Sequence, residues 1–340
     1  MSDPIVPEHL KITKTKIGVV LLNLGTPEGT DYWNVRRYLA EFLGDPRVIE
    51  TPKWLWWPIL NLGILTFRPQ KSGHAYAQIW DREKNESPLR VIQRALTEKV
   101  AERFQADDIV VDFAMRYGNP STKSVLEKLQ KAGCQQILLV PMYPQYSATT
   151  TATANDKAFD TLKKMRWQPA VRTAPAYYTD PNYIAALGNS IRDGIAQLDF
   201  EPDLVLTSYH GLPQSYVDKG DPYERHCYDT TRLVAEYLGW SPDKIKVTFQ
   251  SRFGPTQWLT PATDTTLEEL PGKGVKKVAV LAPAFHVDCI ETLEEMSIGG
   301  RESFLEAGGE KFAYIPCLND TAPSVDMVEA MVRRELAGWI

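Results

Sequence analysis

The 340-residue chain is poor in the features that announce a specialised class of protein. Its four cysteines, Cys134, Cys227, Cys289 and Cys317, are scattered and form no Cys-x-x-Cys pair. That argues against a structural zinc or iron–sulfur ligand set and for reduced thiols. With 38 Lys+Arg against 43 Asp+Glu, the net charge is −5 and no long run of one sign occurs. Such a surface carries no electrostatic footprint for nucleic acid, and no nucleic-acid partner is expected. The longest apolar segment, Trp54–Phe67, is interrupted by Pro58 and falls short of the roughly 20 residues that span a bilayer. The start, Met1-Ser-Asp-Pro-Ile-Val-Pro-Glu-His9, has no basic residues leading into an apolar stretch, so no secretory signal is expected and a cytoplasmic location is. Also missing are G-x-G-x-x-G, the Gly-Lys-Ser/Thr ending of a P-loop after Gly25-Thr-Pro27, and the G-x-S-x-G elbow. Dehydrogenase and hydrolase readings are weakened accordingly.

What is present is an alternation of β-rich apolar runs with helical patterns. Strands are expected at 16–24, 109–115, 136–142, 170–174, 204–208, 244–250 and 277–282, with helices between them. Such alternation implies a parallel sheet flanked by helices, an α/β fold. The pattern also repeats. Phe113-Ala-Met-Arg116-Tyr117-Gly118 recurs as Phe249-Gln-Ser-Arg252-Phe253-Gly254, and Ile137-Leu-Leu-Val-Pro141 as Val278-Ala-Val-Leu-Ala-Pro283. Upstream, Val19 to Pro27 resembles Leu204 to Pro213. Two similar Rossmann-like halves follow, 1–175 and 176–323, with 324–340 a helix expected to return to the first half. Ligands of open α/β sheets bind at the carboxyl ends of strands, so a cleft between the halves is where chemistry is expected.

Three groups of residues sit at such ends. His210 follows an apolar strand and precedes Gly211, which permits a tight turn; imidazole suits a proton acceptor or metal ligand near neutral pH. In Asp288-Cys289-Ile290-Glu291, Asp288 and Glu291 have the spacing of a capping box. Yet Glu291 and Glu295 are four apart on one helix face, where like charges repel, an arrangement that makes better sense facing a cation or sharing a proton. Arg116, Tyr117, Tyr143, Tyr146, Arg252, Phe253 and Trp258 would bring cations and aromatic faces to a flat, apolar ligand bearing carboxylates. Three tryptophans within Trp54-Leu-Trp-Trp57 fit an exposed lip that meets a membrane or an apolar substrate.

Taken in order, these motifs resemble the ferrochelatases, which insert ferrous iron into protoporphyrin. The resemblance runs from about Ile17 to Asp320 through Leu22-Asn-Leu24-Gly-Thr-Pro27, Arg116-Tyr-Gly-Asn-Pro120, Tyr143-Pro-Gln-Tyr146-Ser147, Ser208-Tyr-His210-Gly-Leu-Pro213, Gln250-Ser-Arg-Phe-Gly-Pro255 and Asp288 to Glu295. It implies a chelatase-type fold of two similar halves and an enzyme of haem biosynthesis, a lyase, taking Fe²⁺ and protoporphyrin IX as substrates. It places the family's essential histidine on His210 and its essential carboxylate on Glu291, with His210, Glu291 and Glu295 as metal contacts. Leu24, Arg116, Tyr117, Tyr146, Trp258 and Phe285 fall on pocket positions, and the 54–67 lip on a segment thought to touch the membrane. A monomer or homodimer is implied.

Three departures qualify the resemblance. Cys289 stands where some relatives have a second histidine, and His286 is a candidate to replace it. Gly299 shortens the acidic ladder beyond Glu295. Ala148 lies where cluster-binding members place a cysteine, and their cysteine-rich extension is missing, so no [2Fe–2S] cluster and no resident cofactor are expected. Rival readings are a coproporphyrin or cobalt chelatase of the same fold and a non-catalytic tetrapyrrole-binding protein.

Overall fold

A computed structural model of the chain describes residues 16–340; the segment in which no secretory signal is legible lies outside them. The first sheet contains β1 (Lys16–Gly25), β2 (Ile109–Tyr117), β3 (Cys134–Pro141) and β4 (Ala170–Thr173). The second contains β5 (Leu204–His210), β6 (Ile245–Gln250), β7 (Lys277–Leu281) and β8 (Lys311–Tyr314). Their orders, β2-β1-β3-β4 and β6-β5-β7-β8, are the same topology, and every pairing is parallel. The central strands are apolar runs because helices cover both faces. Val19, Val20, Leu21 and Leu22 of β1 are all inaccessible to solvent.

The repeat is real, but the motif alignment that reveals it is out of step by two residues. The Met115 N–H donates to the Pro120 carbonyl at 2.7 Å, and the Phe249 N–H donates to the Pro261 carbonyl at 2.9 Å. Met115, rather than Phe113, therefore holds the place of Phe249. Asn23 pairs with Met115 and Tyr209 with Phe249, so Leu24 at the end of β1 is the counterpart of His210 at the end of β5.

One apolar core joins the halves. It contains Val19, Met115 and Val140 of the first sheet, Val205, Ala279 and Leu281 of the second, and Tyr183, Leu187, Val328 and Met331 from two helices. Those helices are Pro181–Ala196 and Ala322–Glu335. The latter packs against helix Pro88–Arg103 of the first half, where Arg103 meets Asp326 at 2.9 Å and Arg333 meets Asp107 at 3.1 Å. Loops rising from the sheets are thus anchored to a shared base.

Two segments differ from their sequence reading. Strand β8, only four residues long and beginning at Lys311, carries too little pattern to be recognised. The lip is helical and continues into helix Leu65–Ile79, whose polar residues and Pro69 mask its period. Among the described residues no helix is long and apolar enough to cross a membrane.

Candidate active site

His210 is the last residue of β5 and is half-buried. The turn after it is tight: a Cβ on Gly211 would lie 2.8 Å from the Gln250 carbonyl and 3.3 Å from the Trp258 ring. His210 Nδ1 lies 2.7 Å from the Gly211 carbonyl, which can only accept, so Nδ1 carries hydrogen, and in the neutral ring Nε2 is the nitrogen with the lone pair. Phe285 flanks the imidazole, with ring centroids 6.5 Å apart. The Trp258 indole is fixed from its other end by Nε1 donating to the Phe253 carbonyl at 2.9 Å.

Gln250, beside His210 in the ladder, ties this strand end to the acidic segment. Its Nε2 donates to the Glu291 carbonyl at 2.7 Å, and its Oε1 accepts from Ser208 Oγ at 2.8 Å. Glu291 opens a π-helical segment, Glu291–Gly300, a widened turn often found at functional sites. Glu295, one turn on, accepts from the Ser251 N–H at 2.7 Å and from Ser251 Oγ. Ser251 reaches it with both groups because its φ is 64°, a left-handed conformation that ordinary residues seldom take. Burial raises the Glu295 carboxyl above its ordinary range; the Ser251 bond and the His210 charge act the other way, and Glu291 adds to the rise. From the first half, Tyr38 and Tyr76 close on the same place. Burial raises both phenols, and the Glu291 charge contributes to each.

His210, Glu291, Glu295, Trp258 and Phe285 therefore come together. Among the described residues, no group of three or more His, Cys, Asp and Glu side chains is gathered closely enough to hold a metal ion. Glu295 is instead occupied by Ser251. The other expected residues lie differently. Tyr117 is inaccessible to solvent; its hydroxyl donates to Asp45 at 2.8 Å, and Phe42 and Arg116 cover its ring at 5.2 and 4.3 Å. It offers no face to a macrocycle in this conformation. Arg116 is paired with Asp45 and donates to Thr153 at 2.7 Å, so its cation is already neutralised. Burial pushes the Asp45 carboxyl up, but Thr153, the Arg47 N–H, Tyr117 and Arg116 outweigh it and hold it below the usual range. Leu24 is half-buried between two apolar clusters. Tyr146 is half-buried and its backbone is held by the second half.

His286 does not take the place of the missing histidine. It is buried, with Nε2 2.8 Å from Ser324 Oγ and Nδ1 3.3 Å from the Tyr177 hydroxyl, and burial lowers its pKa to about 3. Below pH ~6.5 the unfolded chain takes up a proton that the native imidazole refuses, so stability falls with pH. Between pH 6.5 and 5 this one group is expected to remove up to about 2 kcal/mol. Denaturation midpoints of His286→Gln should show that share of the slope gone; an identical slope would contradict it. Nor does Asp288 form a capping box with Glu291. Its carboxylate accepts from Thr292, Tyr314 and Asn319 at 2.7–2.8 Å, bracing the loop ahead of Glu291. Gln250, Ser251, Asp45, Tyr38 and Tyr76 went unseen in the sequence because only the tertiary register brings them here.

The lip is largely exposed, and the helix that continues it packs against the Glu291–Gly300 segment. Trp54, Trp57, Leu62 and Phe67 are 79%, 63%, 71% and 76% exposed, while Trp56 turns inward and donates to the Leu43 carbonyl at 2.7 Å. The Arg68 guanidinium sits 4.3 Å over Phe253, bridging the helix that continues the lip to the loop after β6.

The chain has relatives among known proteins. The chain is 58% identical to a ferrochelatase of Mesorhizobium japonicum over 98% of its length and 94% of that protein's. It is 54% identical to one of Agrobacterium fabrum, covering 98% and 97%, and 53% identical to one of Brucella ovis, covering 98% and 95%. Among solved structures it is similar to SirB from Bacillus subtilis with Fe³⁺ and to the sirohydrochlorin chelatase SirB from B. subtilis subspecies spizizenii in complex with cobalt. Their TM-scores are 0.58 and 0.57 at 10% identity, over 95–96% of this chain and 97% of each of those; at that identity the likeness shows the chelatase-type fold. The ferrochelatase family model matches residues 16–336, and the chain belongs to the ferrochelatase family.

Proposed function

We propose that this chain inserts Fe²⁺ into protoporphyrin IX between its two halves, with His210 and Glu291 as the reacting groups. The observation that carries the residue assignment is the free Nε2 of His210, set by the Gly211 carbonyl, on the same Gln250 brace that holds Glu291. Metal insertion must remove two pyrrole protons. An imidazole with an available lone pair accepts one, and a nearby carboxylate attracts the cation and passes protons on. Trp258 and Phe285 supply flat apolar contact, and their binding energy can hold the ring bent so that its nitrogen lone pairs leave the plane. Iron here is substrate, and the proposal needs no resident metal. Arg116 and Tyr117 act behind the pocket wall through Asp45. Anaerobic loss of protoporphyrin fluorescence on adding Fe²⁺, with a haem spectrum growing in, tests the reading. Tight porphyrin binding without either change would refute it in favour of a carrier.

The exposed lip supports peripheral membrane contact. Indoles and aliphatic side chains gain about 1.5–3 kcal/mol each when buried in an apolar phase. Replacing Trp54 and Trp57 by Ser is expected to lower partitioning onto phosphatidylcholine–phosphatidylglycerol vesicles at least about tenfold. Unchanged co-sedimentation would leave the lip without that role.

A further inference from the structure

A histidine outside the reacting pair holds the loop that carries Tyr146, a residue the family resemblance assigns to the pocket. We propose that His226 is a positioning residue: its unprotonated Nδ1 fixes the backbone of Tyr146, and porphyrin affinity is lost in acid when that nitrogen takes a proton. The inference rests on the reading of the cleft as a porphyrin site.

The geometry is a clasp between halves. The Tyr146 N–H donates to His226 Nδ1 at 3.2 Å. A backbone N–H has no acceptor role, so Nδ1 must present its lone pair. The imidazole is oriented by stacking on Tyr178, 3.7 Å between centroids and 10° between planes. On either side of Tyr146 the same region of the second half takes hold of its neighbours. Gln145 donates to Thr230 Oγ1 at 3.0 Å, and Asp221 accepts from Ser147 Oγ at 2.9 Å and from the Ala148 N–H at 2.7 Å. Helix Tyr223–Leu238 and the turn before it thus set a first-half loop that follows β3. Among these contacts, the one to Tyr146 rests on an imidazole nitrogen.

The groups around His226 are Asp221 in the turn, Arg225 and Asp229 on its own helix, Tyr178 on its face and the Tyr146 amide. Burial disfavours the cation; the two aspartates favour it and Arg225 opposes it. The balance keeps the ring neutral to below the usual histidine range, so the clasp is closed at neutral pH. Protonation at Nδ1 sets an N–H against an N–H, exchanging an attraction for a repulsion.

The test uses full-length protein and protoporphyrin IX in dilute non-ionic detergent, with affinity from porphyrin fluorescence between pH 7.5 and 5.0. Each variant is divided by wild type at the same pH, which cancels titration of the porphyrin itself. His226→Leu removes the acceptor and is expected to weaken binding and raise KM about tenfold at pH 7.5, with kcat changed less than about twofold. His226→Asn carries an oxygen near the place of Nδ1; it is expected to recover most of that loss and to lack the acid decline of wild type. Wild-type affinity in the Leu variant, or a wild-type acid decline in the Asn variant, overturns the proposal. Failure of wild type to bind porphyrin or insert iron overturns the porphyrin reading as well, which separates the two failures.

Discussion

Replacing His210 with Ala is expected to lower iron insertion by at least about 100-fold, the lower end of what a positioned acid–base group contributes, while protoporphyrin affinity stays within a few-fold of wild type. The split follows from where the ring sits. Its Nδ1 is committed to the Gly211 carbonyl, so what Ala removes is the Nε2 lone pair and little of the pocket. Trp258 and Phe285 remain to hold the macrocycle. The turn survives too, because the Gly211 N–H donates to the Gln250 carbonyl at 2.7 Å without help from the imidazole. Stopped-flow porphyrin fluorescence with anaerobic Fe²⁺ reads both quantities. A variant that binds porphyrin and turns over at the wild-type rate would transfer the proton-accepting role elsewhere.

Glu291→Gln is expected to lower turnover by about 100-fold or more at saturating porphyrin, by the same acid–base argument, and to weaken the dependence on Fe²⁺ concentration. The amide preserves shape and removes only charge and proton affinity. The backbone should be undisturbed, since Gln250 holds Glu291 through its carbonyl. A rate equal to wild type at all iron concentrations would reduce Glu291 to a residue that merely opens a helix. Glu295→Gln should be milder. That carboxylate is bound to Ser251, and its loss acts through the neighbouring charges.

Most of the fold was legible in the sequence because parallel strands covered on both faces write long apolar runs, and the residues that follow them can be placed from those runs. His210 and Glu291 could be placed that way. What escaped notice has identifiable causes. Pairing Phe113 with Phe249 followed matching letters, whereas the carbonyls of Pro120 and Pro261 fix the true equivalence two residues on. His286 looked available because it lies near Glu291 in sequence; the chain turns it instead towards Tyr177 and Ser324. Tyr117 stood at a strand end, but Asp45, some seventy residues away, drew its hydroxyl inward. His226 carried no motif, since a helix residue announces an acceptor role only when its partner loop is in view.

The equivalence of Leu24 and His210 gives the cleft a chemical polarity. Two copies of one strand end carry different chemistry: the second ends on the imidazole of His210, the first on the hydrocarbon of Leu24, packed between apolar clusters. For a flat ring held there, the two sides are not interchangeable. In the proposed reaction the proton acceptor, His210, stands where the first copy has Leu24, so the direction of proton departure follows from how far one copy has diverged from the other.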